Sequence, residues 1–202
     1  AYHYEDEILD ICNEKLISLE KNKIKVENLK PKIDVLKLWD CCTTIRAKSI
    51  YEDIIDMNIN DINEMTPQAI WEYNKGIQVK AEDIELALNS RIELSRDLNN
   101  IFNNYDFLAL PSQQTFPFDK NLRYPNKINN LEMDTYHRWI EIHILASLFY
   151  LPSISLPIGF NKKGFPIGIQ IIAKQSEDLN LFAFAKKYEE IFQYNKKKPL
   201  LS

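Results

Sequence analysis

Leu151-Pro152-Ser153-Ile154-Ser155-Leu156-Pro157-Ile158-Gly159-Phe160, followed by Gly164-Phe165-Pro166-Ile167-Gly168-Ile169-Gln170-Ile171-Ile172, is the stretch that decides the fold. Pro152 and Pro157 each remove a backbone donor, so the strand between them, Ser153 to Leu156, is short or sits where its ladder is incomplete. Gly159, Gly164 and Gly168 are three of only four glycines in the chain. Their clustering calls for positive φ or close backbone approach here, as in a strand-turn-strand beside a cavity or in an ordinary hairpin. Pro166 to Lys174 reads as the second strand.

Outward from this block, helices and short apolar strands alternate. Glu5 to Glu20 carries Ile8, Ile11, Cys12, Leu16 and Leu19 on one helical stripe, and Ile24 and Val26 alternate with charges as in a strand over Lys23 to Leu29, ended by Pro31. Ile33 to Ile55 is apolar at helical spacing, and Asp56 to Met65 is a connector. Thr66 and Pro67 start a short helix as N-cap and N1, with Gly76 closing it. Ala81 to Asn104 is a long amphipathic helix. Tyr105 to Leu110 reads as a buried strand ended by Pro111, and Ser112 to Met133 as a long loop. A helix follows from a cap at Asp134 or Thr135 to Tyr150, and the last runs from Ser176 to Phe192, with Leu179, Phe182, Phe184, Ala185, Tyr188 and Ile191 as its apolar positions. The tail from Asn195 is basic. The class is α/β, a mixed β-sheet flanked by helices, with the strands at Asp106 and Ile167 buried on both faces.

Composition narrows the function. The 202 residues suffice for one core, 45% of them are hydrophobic, and the net charge of −4 is spread thinly. That offers no basic field for nucleic acid. No apolar run reaches the roughly 20 residues that span a bilayer. Cys12, Cys41 and Cys42 form no CxxC pair, which argues against zinc and a disulfide framework and for reduced thiols in a cytoplasmic protein. His137 and His143, six apart on one helix, diverge by about 120°, whereas shared ligation prefers spacings of three or four. His3 lies near a free end. Neither a metal nor a cofactor is expected.

In order and spacing, the Leu151 to Ile172 block resembles the near-terminal "LPaisvPxGf … GlPvGlQii" passage of amidase-signature enzymes. Tyr105-Asp106-Phe107-Leu108-Ala109-Leu110-Pro111-Ser112 resembles that family's "yDvlltPt" strand, and Asp134 to Trp139 resembles the helix entry of several bacterial amidases. The resemblance implies hydrolysis of a carboxamide by a serine nucleophile, relayed through a second, cis-bonded serine to a neutral lysine, with a glycine-serine-rich loop holding the oxyanion. No Gly-Gly or Ser-Ser pair occurs here. The one Lys-Ser neighbour, Lys48-Ser49, sits in a helical pattern without glycine. No catalytic residue is therefore assigned. The chain reads as the carboxyl-terminal portion of one amidase-signature domain, residues 1–202, its catalytic amino-terminal half being expected outside this chain.

The resemblance also implies a pocket. Arg91, on the stripe of Ile84, Leu88, Ser95 and Leu98, matches an arginine that holds the substrate carboxylate in the A subunits of tRNA-dependent amidotransferases. Trp139, His143 and Ser147, at spacings of four before Leu151, are expected to face an acyl pocket together. Thr115, with Phe116 and Phe118, is expected at its mouth. Ile140-Glu141-Ile142 and Ser147-Leu148-Phe149-Tyr150 depart from the amidotransferase pattern and favour a general amidase. The expected partners are a small amide substrate, the missing half of the same protein and a second copy. The alternatives are a non-catalytic binding module on a truncated amidase fold and the A subunit of a glutamine-dependent tRNA amidotransferase.

Overall fold

The computed structural model describes residues 2–30, 33–57 and 62–196. The stop expected at Pro31, the middle of the 56–65 connector and the tail beyond residue 196 lie outside them. The chain forms two compact units, one of residues 1–30 and 101–202 and one of residues 31–100.

The first unit is built on a three-stranded sheet, β1 (Phe107–Pro111), β2 (Ser153–Phe160) and β3 (Pro166–Ala173), in the order β1-β3-β2. All three strands pair antiparallel. With α1 (Ile8–Ser18) and α2 (Asp178–Phe192) in the same unit, helices and sheet together give the α/β class.

Because side chains alternate along a strand, the sheet has two faces. Ile167, Ile169, Ile171 and Ala173 of β3 point to one, beside Leu156 and Ile158 of β2. They join Ile8, Cys12 and Leu19 and, from α2, Leu181, Ala185 and Tyr188 in one buried cluster. The opposite face receives Gly168 and Gln170, with Ser155 paired to Gln170 and Ser153 to Ile172. The core face is apolar and the other is written in serines.

β2 outruns its expected end at Leu156. It passes through Pro157 and reaches Phe160 by a bulge between Pro157 and Gly159. Pro157 is tolerated because β2 is an edge strand, where a missing donor breaks no central ladder. The bulge leaves the extra residue, Ile158, fully buried in the core. Tyr188 Oη donates to the Pro157 carbonyl at 2.8 Å. Gly164 turns the chain at φ 84°, where glycine alone is unstrained. Of the two strands expected to be buried on both faces, β3 is nearly so, whereas β1 is half-buried along most of its length.

Several local expectations change. Residues 24–30 form no strand. Ile24 and Val26 do pack against the core, but no strand among the described residues offers them a ladder. The 112–133 loop contains a small hairpin, Lys127–Ile128 against Leu131–Glu132, turned at Asn129 with φ 51°. The last helix buries the stripe Leu181, Ala185 and Tyr188, and leaves Leu179 and Phe182 exposed. Apolar residues lie around most of that helix, so periodicity alone does not choose the stripe.

The helix expected over 134–150 breaks up. Residues 138–143 are a 3-10 segment with a non-helical Ile140, and only Ile144–Leu148, α3, is α-helical. Consequently Trp139 does not share a helical face with His143 and Ser147, nor do His137 and His143 share one helix.

The second unit contains α4 (Val35–Asp56), α5 (Pro67–Gln78) and most of α6 (Ala81–Phe102). Asp34 caps α4, accepting from the amides of Leu36 and Lys37 at 3.1 Å each. Thr66 caps α5, accepting from Ala69 N at 3.3 Å. Gly76 does not close its helix. It lies buried within α5 where a side chain would strike the Ala47 carbonyl oxygen and Tyr51 Cβ of α4. Glu72, also buried, accepts from Arg46 Nε at 2.8 Å. Lys48 lies over the Tyr51 ring and reaches Glu52 at 3.6 Å, a surface role on a helix.

Gly76→Ala should destabilise this unit by about 1–3 kcal/mol despite alanine's higher helix propensity, because overpacking against a backbone carbonyl outweighs it. Urea unfolding of wild type and variant measures the difference. Burial pushes the Cys12 thiol up to about 12. Its raised folded-state value means stability is fully present below the ordinary thiol range and declines as pH climbs from about 9 towards 12. A Cys12→Ser variant should show a shallower alkaline decline in thermal melting.

Candidate functional site

The serine-bearing face of the sheet forms the floor of a solvent-open cavity of about 540 Å³. Its walls are Ser112 and Gln113 after β1, Ser153 and Ser155 of β2, Gln170 of β3, and His143, Ala146, Ser147, Tyr150 and Leu151 on and around α3. All belong to the first unit.

The floor is held by close approach. Ser112 N donates to Gly168 O at 2.9 Å, which extends the β1–β3 pairing one residue past Pro111. Ser112 Oγ and Ser155 Oγ then meet at 2.6 Å across Gly168. A Cβ at 168 would lie 2.8 Å from Ser112 Oγ and 3.1 Å from Ser155 Oγ. Glycine is needed here because two hydroxyls occupy the space a side chain would take. Beside them, Ser153 Oγ donates to Gln170 Oε1 at 3.1 Å.

The opposite wall is tied down through the backbone. His143 Nε2 meets the Ser112 carbonyl oxygen at 2.6 Å and, since a carbonyl only accepts, donates there. Gln114, fully buried, receives Ile142 N on Oε1 at 3.2 Å and donates from Nε2 to the His3 carbonyl at 2.9 Å. Arg138 donates to both oxygens of Asp134 at 2.9 and 2.6 Å and to Glu141 at 3.0 Å. The Arg138 hydrogen bonds hold the Asp134 carboxyl below the usual aspartate range. Glu5 braces the same loop, its carboxylate accepting from Phe116 N at 2.7 Å.

Helix α3 ends in a Schellman arrangement: Leu151 N donates to Ala146 O at 3.0 Å and Tyr150 N to Ser147 O at 3.3 Å. The left-handed position is held by Tyr150, φ 52°, where glycine is the usual occupant. A bulky residue in that conformation carries strain. Here it stands with its ring exposed at the cavity wall.

Of the residues expected at a pocket, His143 and Ser147 line this cavity. Trp139 is not among the lining residues: its Nε1 donates to the Tyr136 carbonyl at 3.1 Å and its ring meets Phe118 edge-on at 5.4 Å. Thr115 is buried beside Gln114 and is not a lining residue. Arg91 stands on α6 in the second unit, half-buried, its charge felt by Cys41. Ser112, Gln113, Ser153, Ser155 and Gln170 are lining residues that the sequence reading does not single out. Their signal is the two-residue spacing of Ser153 and Ser155, in phase with Gly168 and Gln170 across the hairpin.

The arrangement can bind but shows no activated nucleophile. A hydroxyl needs a neighbouring base to attack an amide. The Ser112–Ser155 pair has none among the described residues, since each hydroxyl meets the other and the His143 bond falls on the Ser112 backbone carbonyl, not on a hydroxyl. Among the described residues no three of His, Cys, Asp and Glu come together as a metal site, and no described helix is long and apolar enough to cross a membrane.

Gly168→Ala should separate Ser112 from Ser155 and cost about 1–3 kcal/mol. Gly168→Ala combined with Ser112→Ala should recover part of it, as chemical denaturation of the single and double variants will show.

Comparison with known proteins gives a consistent picture. The chain is 35% identical over 100 residues to the A subunit of the glutamyl-tRNA(Gln) amidotransferase of Prochlorococcus marinus, a match covering 50% of this chain and 19% of that protein. It is 30% identical over 111 residues to the corresponding protein of Thermodesulfovibrio yellowstonii, covering 55% and 22%. The chain thus spans about a fifth of the length of the curated relatives it matches. A bacterial aryl acylamidase of the amidase-signature enzymes superposes with a TM-score of 0.82 over 99% of this chain and 44% of its own, at 19% identity, which shows a shared fold. The sequence profile of the amidase family matches residues 14–182, and with that span the chain belongs to the amidase (amidase-signature) family.

Proposed function

We propose that this chain is the carboxyl-terminal part of an amidase acting on the carbon–nitrogen bond of a carboxamide. It contributes sheet and substrate pocket, while the Ser-Ser-Lys machinery lies on polypeptide outside these 202 residues. The observation that carries this reading is the cavity itself. Its floor is polar, preorganised and fixed through the backbone, yet no base among the described residues touches a hydroxyl in it. A hydroxyl without a neighbouring base is too weak a nucleophile for an amide.

Two further facts support the division of labour. The sheet ends in β1 on one side and β2 on the other, leaving both edges without a strand among the described residues. Open edges are normally paired or covered, and the amino-terminal half is the expected source. The superposed amidase-signature structure is also more than twice as long as the part matched. His143 and Ser147 are proposed to line the acyl side of the pocket, with Arg91, Trp139 and Thr115 retained as substrate-binding candidates. A cytoplasmic location and self-association belong to the same proposal.

A second reading, the A subunit of a glutamine-dependent tRNA amidotransferase, is favoured by the 30–35% identity to such proteins. Against it, Ile140, Glu141 and Ile142 stand where those proteins are expected to carry an aspartate for the glutamine amino group. Glu141 is instead engaged by Arg138 and Gln114.

The test is turnover of 4-nitroacetanilide and of glutamine. The 202-residue chain alone should be inactive on both. Joined to a polypeptide carrying a serine-lysine catalytic half, it should support anilide hydrolysis that no further protein partner enhances. Turnover by the chain alone, abolished by one substitution within it, defeats the proposal, and glutaminase activity that rises with added partner proteins favours the second reading.

A further inference from the structure

Tyr150 combines three properties that seldom meet in one residue. It holds the left-handed position at the end of α3, with φ 52°. It is 74% exposed. It lines the cavity. A bulky side chain at positive φ is strained, and glycine would end the helix without that cost. Such strain is offset when the side chain packs, yet a ring this exposed brings the fold little burial. The conformation is imposed from both sides. Before it, the bonds from Tyr150 N to Ser147 O and from Leu151 N to Ala146 O close the helix. After it, Pro152 restricts Leu151 to extended backbone, and the Pro152 carbonyl accepts from Ala173 N at 2.9 Å. The backbone therefore fixes where the ring leaves the chain, at a cavity whose volume of about 540 Å³ suits a small molecule. From the same helix end Ala146 and Leu151 add apolar lining, in contrast with the serines of the floor.

We propose that Tyr150 is a stacking platform for a flat aromatic group of the amide substrate, and so a specificity residue that favours aryl over alkyl amides. The face of the phenol ring can meet a second π face in an offset stack, which a saturated ring of the same size cannot reproduce. Such a pair is worth roughly three- to tenfold in affinity beyond the area it buries. The ring face is what the site uses, so the Tyr150 hydroxyl is dispensable. This rests on the proposed function and deepens it by naming the kind of group that the substrate carries. It assigns Tyr150 no contact with the scissile bond.

The experiment titrates the 202-residue chain, carrying ring-labelled tyrosine, with benzamide and with cyclohexanecarboxamide, which keeps the amide and loses the π face. The Tyr150 ring resonances are assigned by their absence from Tyr150→Phe. Benzamide should shift them and bind at least threefold tighter than cyclohexanecarboxamide. Tyr150→Phe should bind benzamide within twofold of wild type, whereas Tyr150→Leu should bind the two amides equally. Tyr150→Gly should lose the same preference and melt no lower than wild type, because the ring serves the ligand and not the fold. Tyr150 resonances unmoved at the solubility limit of benzamide, equal affinity of wild type for the two amides, or a Tyr150→Gly variant that melts below wild type would each overturn the proposal. So would ring resonances that move with an added amino-terminal half and not with benzamide, which assigns the ring to that interface. Failure here is separable from failure of the hydrolase reading. Anilide turnover in a longer polypeptide with Tyr150 unshifted removes the platform and keeps the enzyme. Selective benzamide binding without turnover in any longer polypeptide does the reverse.

Discussion

The first unit depends on the register of β3 between its two neighbours. Side chains alternate strictly along a strand, so sliding β3 by one residue would drive Gly168 and Gln170 into the core and expose Ile167, Ile169 and Ile171. Two features fix the register. The isoleucines give the apolar face no other place to go, and the Gly168 gap admits Ser112 and Ser155 only where they now stand. Burying an isoleucine side chain stabilises by roughly 1.5–3 kcal/mol. A slip that exposed three would cost more than any single hydroxyl contact recovers. The apolar face sets the register, and the serine face inherits its geometry from it.

That inheritance explains why the cavity is rigid where it is polar. Ser112, Ser153, Ser155 and Gln170 belong to or directly follow paired strands, and His143 is anchored to a backbone carbonyl at the end of β1. Polar groups on regular elements are held more closely than groups on free loops. The facing wall is a broken helix, and the network of Gln114, Glu141, Arg138 and Asp134 supplies the order that continuous helical hydrogen bonding would otherwise give. The strained residue is there too, Tyr150 at φ 52°. Strain of this kind persists only where surrounding structure over-determines it, and the strand that begins at Ser153 immediately follows.

Much of this is legible in sequence, for identifiable reasons. The hairpin of residues 153–173 announces itself because proline, glycine and β-branched residues each restrict the backbone sharply. The long helices of the second unit are visible in their spacing and, for α5, in the Thr66 cap. What fails to show is whatever depends on distant partners. Ile24 and Val26 alternate like a strand, but a strand exists only if another offers a ladder. Gly76 has the look of a stop signal, whereas the approach of α4 makes it an interior contact. The 134–150 segment has helical spacing, and the 3-10 break at Ile140 goes with a long-range bond, Ile142 N to Gln114 Oε1, that no local pattern encodes. Trp139 shares a face with His143 and Ser147 only on that lost helix, and its separation from the cavity lining is the direct result.

Binding and chemistry make different demands on a serine. As a wall, a serine needs only a fixed hydroxyl, and Ser155 on a sheet edge strand provides it. As a nucleophile, it needs a base poised to take its proton and donors waiting for the oxyanion. Ser112 and Ser155 satisfy each other at 2.6 Å, which suits the first role and works against the second, since a hydroxyl engaged with its twin is neither deprotonated nor free to attack. The neighbouring hydroxyl, Ser153 Oγ, likewise meets a wall group, the Gln170 amide, at 3.1 Å. A chain that met all its polar groups internally would be a better folded object and a poorer pocket. Among the described residues both edges of the sheet stay without a further strand, and edges of that kind are normally paired or covered.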